Sequence, residues 1–264
     1  MLTRELRLLL VFFAVLALFA GVLLFVRSAH TDSSFSWTIK PPLTAAFLGA
    51  SYWAACVLFA WSARQRLWVR ARPALLPAFV IATLLLVTTI VHFDRFHKDL
   101  FGYFWLTAYI VVPPLMILAL VRQLRADPVE EPARRPLPQA LRGALLLQAL
   151  AMAGVGIALY ASPSSADSLW PWTLTPLTGR AVGSFLIGFA AAAAQAFAEN
   201  DVPRLVGSAL AYTALGTLEL VAVLRYTSAI DGSGARGVVY IAFVASVLLV
   251  GLAGLAVARR TQRL

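Results

Sequence analysis

The chain has 264 residues, of which 61% are hydrophobic and 13% are charged. Soluble proteins average about 45–50% apolar and about 25% charged residues, so the composition excludes a soluble globular domain and predicts a membrane protein. The formal net charge of +10 would suggest a nucleic-acid partner for a soluble protein, but here the Arg residues lie in short segments between apolar runs. We therefore expect the lipid bilayer as a partner and no nucleic acid.

Eight apolar runs are long enough to cross roughly 30 Å of hydrocarbon as helices. In chain order they are Leu8 to Val26, Leu43 to Ala63, Ala74 to Val91, Phe101 to Val121, Ala144 to Ala161, Ala181 to Ala198, Leu205 to Leu224 and Gly237 to Ala258. Strands of a membrane barrel alternate polar and apolar residues over about ten positions, and these runs do not alternate. The sequence therefore predicts an all-α integral membrane protein with eight transmembrane helices.

The basic residues predict how these helices are oriented, because short cytoplasmic loops carry an excess of Lys and Arg. With the N-terminus inside, all but seven of the 22 Lys and Arg residues fall on the cytoplasmic side. The seven exceptions are Arg27, Lys40, Arg95, Lys98, Arg180, Arg225 and Arg236. We expect a multi-pass protein of the inner membrane with both termini in the cytoplasm.

The order of residues indicates an internal duplication of a four-helix unit. At shifts of 130 to 135 residues the matching pairs are Gly21 and Gly156, Trp37 and Trp172, Pro42 and Pro176, Gly49 and Gly183, Thr83 and Thr213, and Arg95 and Arg225. An even number of crossings makes both units enter the membrane from the same side, which predicts two parallel repeats related by a pseudo-twofold axis along the membrane normal. The predicted division is a first repeat over residues 1–121, a linker rich in Pro and charge over 122–139 without regular structure, and a second repeat over 140–264.

Two short motifs recur in both predicted repeats. WTIKPPLT begins at Trp37 and WTLTPLT begins at Trp172. Trp favours the headgroup interface and Pro suits the first turn of a helix, so we interpret both motifs as interfacial anchors with a helix start, the alternative being a ligand site. The small residues of Ala45-x-x-x-Gly49 and Gly179-x-x-x-Gly183 predict that the second and sixth helices pack closely on each other or on equivalent neighbours.

The two predicted repeats differ in their charged residues. Glu219 lies about 9 Å from the outer end of the seventh helix, at a depth where a carboxylate needs a partner or a function. Its counterpart in the first repeat is Thr89, and the counterpart of Arg180 is Ala46. Because both charges are absent from the first repeat, we predict that Glu219 and Arg180 form an ion pair, either a static salt bridge or part of a substrate or proton site.

The outer end of the third helix carries the polar run HFDRFHKD, which begins at His92. His92, Asp94 and His97 would bind zinc or another divalent ion if the chain turned after His92, and would otherwise form a polar interfacial loop. Arg95 and its counterpart Arg225 complete the candidate residues for a ligand or ion site. No motif in the sequence indicates a particular cofactor, and the motifs of phosphate loops, zinc proteases and nucleophile elbows are missing.

FSWTIKPPLTAAFLGAS, at residues 35–51, and WPWTLTPLTGRAVGSF, at 170–185, resemble segments of a group of multi-pass membrane proteins from high-GC bacteria. This resemblance implies a bacterial inner-membrane location. No activity is assigned to that group, so the resemblance carries no catalytic residues over.

Three functions remain open from the sequence. The first is transport or binding of a small molecule or ion at an outer-side site between the repeats, near Glu219, Arg180, His92 and Thr89. The second is an accessory or scaffold subunit without a site of its own, whose partner would be another protein or a second copy. The third is a membrane-embedded enzyme that acts on a lipid-linked substrate, although an enzyme is the less favoured class.

Overall fold

A computed structural model describes residues 1–126, 132–230 and 234–262. Eight helices in these ranges have the length and composition to cross a membrane, which confirms the predicted number and the all-α class. They are α1 (Arg4–Gly21), α2 (Pro42–Ala63), α3 (Leu75–Val91), α4 (Leu100–Arg125), α5 (Gln139–Ala161), α6 (Pro176–Glu199), α7 (Val202–Arg225) and α8 (Ala235–Gln262). A π-helical turn, Val22–Val26, prolongs α1.

The ends of the helices follow from local sequence. Pro42 and Pro176 occupy the first position of α2 and α6, where a missing N–H costs no hydrogen bond. Thr175 and Thr178 form a capping box at the start of α6. At the other end of α6 the C-cap is Asn200. Its φ of 44° is left-handed, a conformation that Asn tolerates better than most residues.

The helices pack in two groups of four. In the first group α1 lies against α2 and α4, and α3 lies against α4. In the second group α5 lies against α6 and α8, and α7 lies against α8. The groups meet where α2 packs on α7 and where α3 packs on α6. Within its most apolar window α2 has 67% of its residues buried and α4 only 22%, so α2 is central and α4 peripheral.

Glycines allow the closest approaches between helices. A Cβ added to Gly49 of α2 would lie 2.4 Å from the backbone nitrogen of Phe25, at the end of α1. A Cβ added to Gly183 of α6 would lie 2.7 Å from the carbonyl oxygen of Gly156 in α5. Contact between α2 and α6 themselves is slight. The small residues therefore hold each of these helices against an equivalent neighbour, the second of the two arrangements that the sequence allowed.

The segment between the two groups is shorter and better anchored than the predicted linker over 122–139. Residues 122–125 continue α4, and α5 begins at Gln139. Asp201 Oδ1 accepts a hydrogen bond from the backbone nitrogen of Arg135 at 2.8 Å, and Asn200 Oδ1 accepts one from Leu137 at 3.0 Å. Polar side chains of the turn between α6 and α7 thus bind the linker backbone, which sequence pattern does not reveal. The rest of the linker, residues 127–131, lies outside the described residues.

Candidate functional site

The second group of helices lines a half-open cavity of about 340 Å³, which we call the second cavity. It lies towards the end of the molecule where α1, α3, α5 and α7 finish, called here the distal end. Its walls come from all four helices of the group, from the segment that precedes α6, and from Phe47 of α2. Most of the lining is apolar, and its ionisable side chains are Glu219, Arg236 and Tyr240.

Glu219 is the buried acid of the second cavity, with 2% of its surface exposed. It lies on α7, and Tyr240 of α8 donates a hydrogen bond from its hydroxyl group to Glu219 Oε2 at 3.1 Å. The other carboxyl oxygen, Oε1, is buried and has no hydrogen-bond partner among the described residues. A carboxyl group in this setting requires a proton or a positively charged partner to complete it.

Aromatic rings form one wall of the second cavity around Trp170. Its ring packs edge-on against Phe47, Trp172 and Tyr240, with centroids 5.5, 5.2 and 5.5 Å away. The indole nitrogen of Trp170 is buried and has no hydrogen-bond partner. The cavity therefore combines rings with an unused donor and an unused acceptor, the polar groups by which an apolar pocket orients a ligand.

The first group lines a half-open cavity of about 420 Å³, the first cavity, between α1, α2, α3 and α4. Among the described residues that line it there is no Asp, Glu, Lys, Arg or His. The hydroxyl groups of Tyr52 and Tyr109 satisfy each other at 2.5 Å. Beside the first cavity, Thr89 accepts a hydrogen bond from Trp105 Nε1 at 2.9 Å and donates one to the carbonyl oxygen of Leu85 at 2.7 Å. Thr89, which the predicted duplication aligns with Glu219, is thus neutral and hydrogen-bonded.

The predicted ion pair between Glu219 and Arg180 is not formed. Glu219 faces Tyr240 on α8, whereas Arg180 Nη1 lies 2.6 Å from Nε2 of His92, beside the end of α3. The reason is topological, because α7 packs on α8 and α2 while α6 packs on α5 and α3. Equal depth in the membrane did not place the two side chains on facing surfaces.

The three proposed metal ligands have separate partners, although the chain does turn after His92 through a 3₁₀ segment, Phe93–Arg95. Asp94 pairs with Arg95 at 3.0 Å. His97 contacts the carbonyl oxygen of Phe35 through Nδ1 at 2.9 Å and the hydroxyl of Thr38 through Nε2 at 3.2 Å. Within the described ranges, no cluster of three His, Cys, Asp or Glu side chains has a metal-binding arrangement.

The repeated Trp residues are buried rather than laid along the surface. Trp37 is 2% exposed and packs on Trp105, with ring centroids 4.9 Å apart. Trp172 is 6% exposed and donates a hydrogen bond to Thr44 Oγ1 at 2.8 Å. This bond joins the second group to α2 of the first. A Cβ added to Gly179, in the adjoining small-residue motif, would lie 3.1 Å from Pro163.

Arg225, a candidate ligand residue from the sequence, caps the end of α1. Its guanidinium donates to the carbonyl oxygens of Phe25 at 2.7 Å and Val26 at 3.2 Å. Positive charge at a helix C-terminus is favourable, and these carbonyls would otherwise lack partners. Its counterpart Arg95 is instead largely exposed beside Asp94.

Sequence reasoning missed a charged cluster at the opposite end of the molecule from these sites. Glu199 pairs with Arg72 at 2.9 Å, and Arg204 pairs with Asp201 at 3.0 Å while lying 3.9 Å from Glu199. Arg204 is 3% exposed. The spacing of Asp201 and Arg204 in the first turn of α7 was the available signal. The cluster joins the turn between α6 and α7 to the start of α3.

No protein-family model, curated protein or solved structure matches this chain. The resemblance to membrane proteins of high-GC bacteria is therefore supported only at the level of class. By its eight helices the chain is a multi-pass membrane protein.

Proposed function

We propose that the protein arose by duplication of a four-helix unit and lies in the inner membrane of a bacterium with its distal end outside. The packing supports the duplication, because each contact within the first group has a counterpart in the second. The contact of α2 with α7 likewise corresponds to that of α6 with α3. The bias of Lys and Arg towards the opposite end supports the orientation.

The function we propose is binding of a small amphiphilic molecule with a positively charged head, as a carrier or a receptor. The binding site is the second cavity, and Glu219 is its polar anchor. The observation that carries the proposal is the buried carboxyl oxygen of Glu219 without a hydrogen-bond partner. An accessory subunit without a site would gain nothing from an acid that is incompletely satisfied inside an apolar chamber.

The chemistry of the cavity favours an organic cation over a simple metal ion. A metal ion would need several oxygen or nitrogen ligands, whereas Glu219 is the only carboxyl group among the described residues that line the second cavity. Aromatic faces attract an ammonium group and its apolar body alike, and Trp170 and Tyr240 provide such faces. A volume of 340 Å³ suits a small ligand. The revised site lies inside the second group rather than between the two groups.

Glu219 has a matched neutral replacement that tests the proposal. Purified protein in detergent is titrated with decyltrimethylammonium and, separately, with uncharged decanol, and tryptophan fluorescence reports binding beside Trp170. We expect Glu219→Gln to weaken binding of the ammonium probe at least tenfold and to leave decanol binding unchanged. Asp94→Asn removes an exposed carboxylate at the same end and should change neither.

Either of two results would overturn the proposal. One is equal affinity of wild type and Glu219→Gln for the ammonium probe. The other is an equal loss in Asp94→Asn, which would indicate diffuse surface charge. The unfolding midpoint of Glu219→Gln, measured in the same detergent, separates lost binding from lost fold.

A further inference from the structure

Arg180 and His92 form a second polar site, separate from the second cavity. They meet where α6 packs on α3, one of the two contacts that join the groups of helices. Arg180 Nη1 lies 2.6 Å from His92 Nε2. Arg180 is four residues from the first residue of α6, a depth of about 6 Å below the distal end. Both side chains are only partly buried, so a ligand can approach them.

His92 holds the guanidinium without neutralising its charge. Partial burial, and next the charge of Arg180, lower the pKa of His92 below its ordinary value. At neutral pH the imidazole is therefore uncharged, and Nε2 accepts the hydrogen bond from Arg180. Among the described residues no carboxylate lies within ion-pair distance of Arg180, because the nearby Asp94 pairs with Arg95. The site keeps a full positive charge.

The corresponding contact between α2 and α7 shows that packing alone does not require this pair. At the shifts of the proposed duplication, Arg180 corresponds to Ala46 and His92 corresponds to Ala222. Both alanines are fully buried, with 0% exposure. One junction between the groups is thus closed by methyl groups, while the other carries a cation and its acceptor at the same depth. The difference points to a ligand rather than to a structural need.

We propose that Arg180, positioned by His92, binds a phosphate group at the outer headgroup layer. A guanidinium presents a planar fork of donors that matches phosphate oxygens, and one of its donors is oriented by the bond to His92. The phosphate belongs either to a lipid headgroup or to a free phosphate anion. This site is opposite in charge to the second cavity, and the proposal does not depend on ligand binding at Glu219.

The junction of α2 with α7 suggests the variant that tests the junction of α3 with α6. Arg180→Ala combined with His92→Ala reproduces the alanine pair of the other junction, and Arg27→Gln removes an exposed distal charge as the matched control. Full-length protein in uncharged detergent is titrated with dihexanoylphosphatidylglycerol and with inorganic phosphate, followed by ³¹P NMR. We expect one phosphate group per chain in wild type, at least tenfold weaker binding in the double variant, and binding within twofold of wild type in Arg27→Gln.

The two probes identify the source of the phosphate. Saturable binding of the lipid alone supports a headgroup, and equal binding of inorganic phosphate supports a free anion. Unchanged binding in the double variant, or an equal loss in Arg27→Gln, would overturn the proposal. Arg180→Gln keeps a polar side chain at the junction and repeats the test in a second variant, with the unfolding midpoint as the measure of folding.

Discussion

The two cavities are both largely apolar, but among the described residues only the second is lined by an acid. Beside the first cavity the Tyr52 and Tyr109 hydroxyls satisfy each other and Trp105 donates to Thr89, while the indole nitrogen of Trp37 has no partner among the described residues. In the second cavity Glu219, which the proposed duplication aligns with Thr89, keeps one carboxyl oxygen without a partner among the described residues. The comparison teaches that a chamber between four helices can be stable without a charge, so the acid at Glu219 is an addition to the fold rather than a condition for it.

Exchange of the aligned residues Thr89 and Glu219 is expected to have the largest effect on the free energy of unfolding. Thr89→Glu would place a carboxyl group at a site that is 1% exposed, and it would remove the hydroxyl that accepts the hydrogen bond from Trp105. We expect a loss of about 3 kcal/mol in the free energy of unfolding, the cost of a charged residue deep in a membrane helix. Unfolding in SDS titrations of the purified protein measures this loss.

The reciprocal change, Glu219→Thr, is the control for the exchange. It removes an incompletely satisfied acid and leaves a small hydroxyl group that can bond to its own helix, as Thr89 does with Leu85. We expect a cost well below that of Thr89→Glu. Equal costs for the two changes would show that the cavities do not differ in their tolerance of charge.

Much of the fold could be predicted because membrane helices are specified by length and apolar content. The starts of α2 and α6 at Pro42 and Pro176 followed from the proline rule. Both Trp37 and Trp172 were expected at the headgroup interface, and their burial could not be predicted. Their positions depend on contacts with Trp105 and Thr44, which are distant in the sequence.

The candidate site could be predicted only residue by residue. Glu219 was identified because a carboxylate at its depth is unusual. The predicted ion pair with Arg180 was wrong, because depth and charge do not determine which helix α7 faces. Tyr240 carries no charge at neutral pH and lies in an apolar run, so no sequence signal marked it. The anchoring of the predicted linker and the cluster of Glu199, Asp201 and Arg204 were missed because tertiary contacts define them.

Gly216 tests a second difference between the groups, the closer packing of α7 on α8. A Cβ added to Gly216 would lie 2.7 Å from the backbone nitrogen of Leu248. The corresponding positions in the first group are Leu86 and Pro114, where no glycine permits such an approach. We expect Gly216→Leu to cost about 2–3 kcal/mol by overpacking. In Gly154→Ala the added methyl meets nothing within 4 Å and should cost nothing measurable.

Tyr240 tests how far Glu219 depends on its one side-chain partner. Tyr240→Phe keeps the ring that packs on Trp170 and Trp172 but removes the donor to Glu219 Oε2. Both carboxyl oxygens would then lack a partner, so we expect a loss of about 1–2 kcal/mol in unfolding free energy. Tyr103→Phe alters an exposed ring, 54% accessible, and should have no effect. A neutral result for Tyr240→Phe would contradict the assigned bond.

His92 should give the smallest effect, a change in how stability varies with pH. Burial and Arg180 lower its pKa, against which Asp94 acts in the opposite direction and Arg95 in the same one. The unfolded chain then takes up a proton at higher pH than the folded chain, so this group lowers stability as the pH falls through 6.5 towards the folded pKa. We expect the unfolding midpoint of His92→Gln to fall by less than that of wild type between pH 7.5 and 5.5, by a margin of about 1 kcal/mol or less. A pH profile of His92→Gln identical to that of wild type would contradict the contact with Arg180.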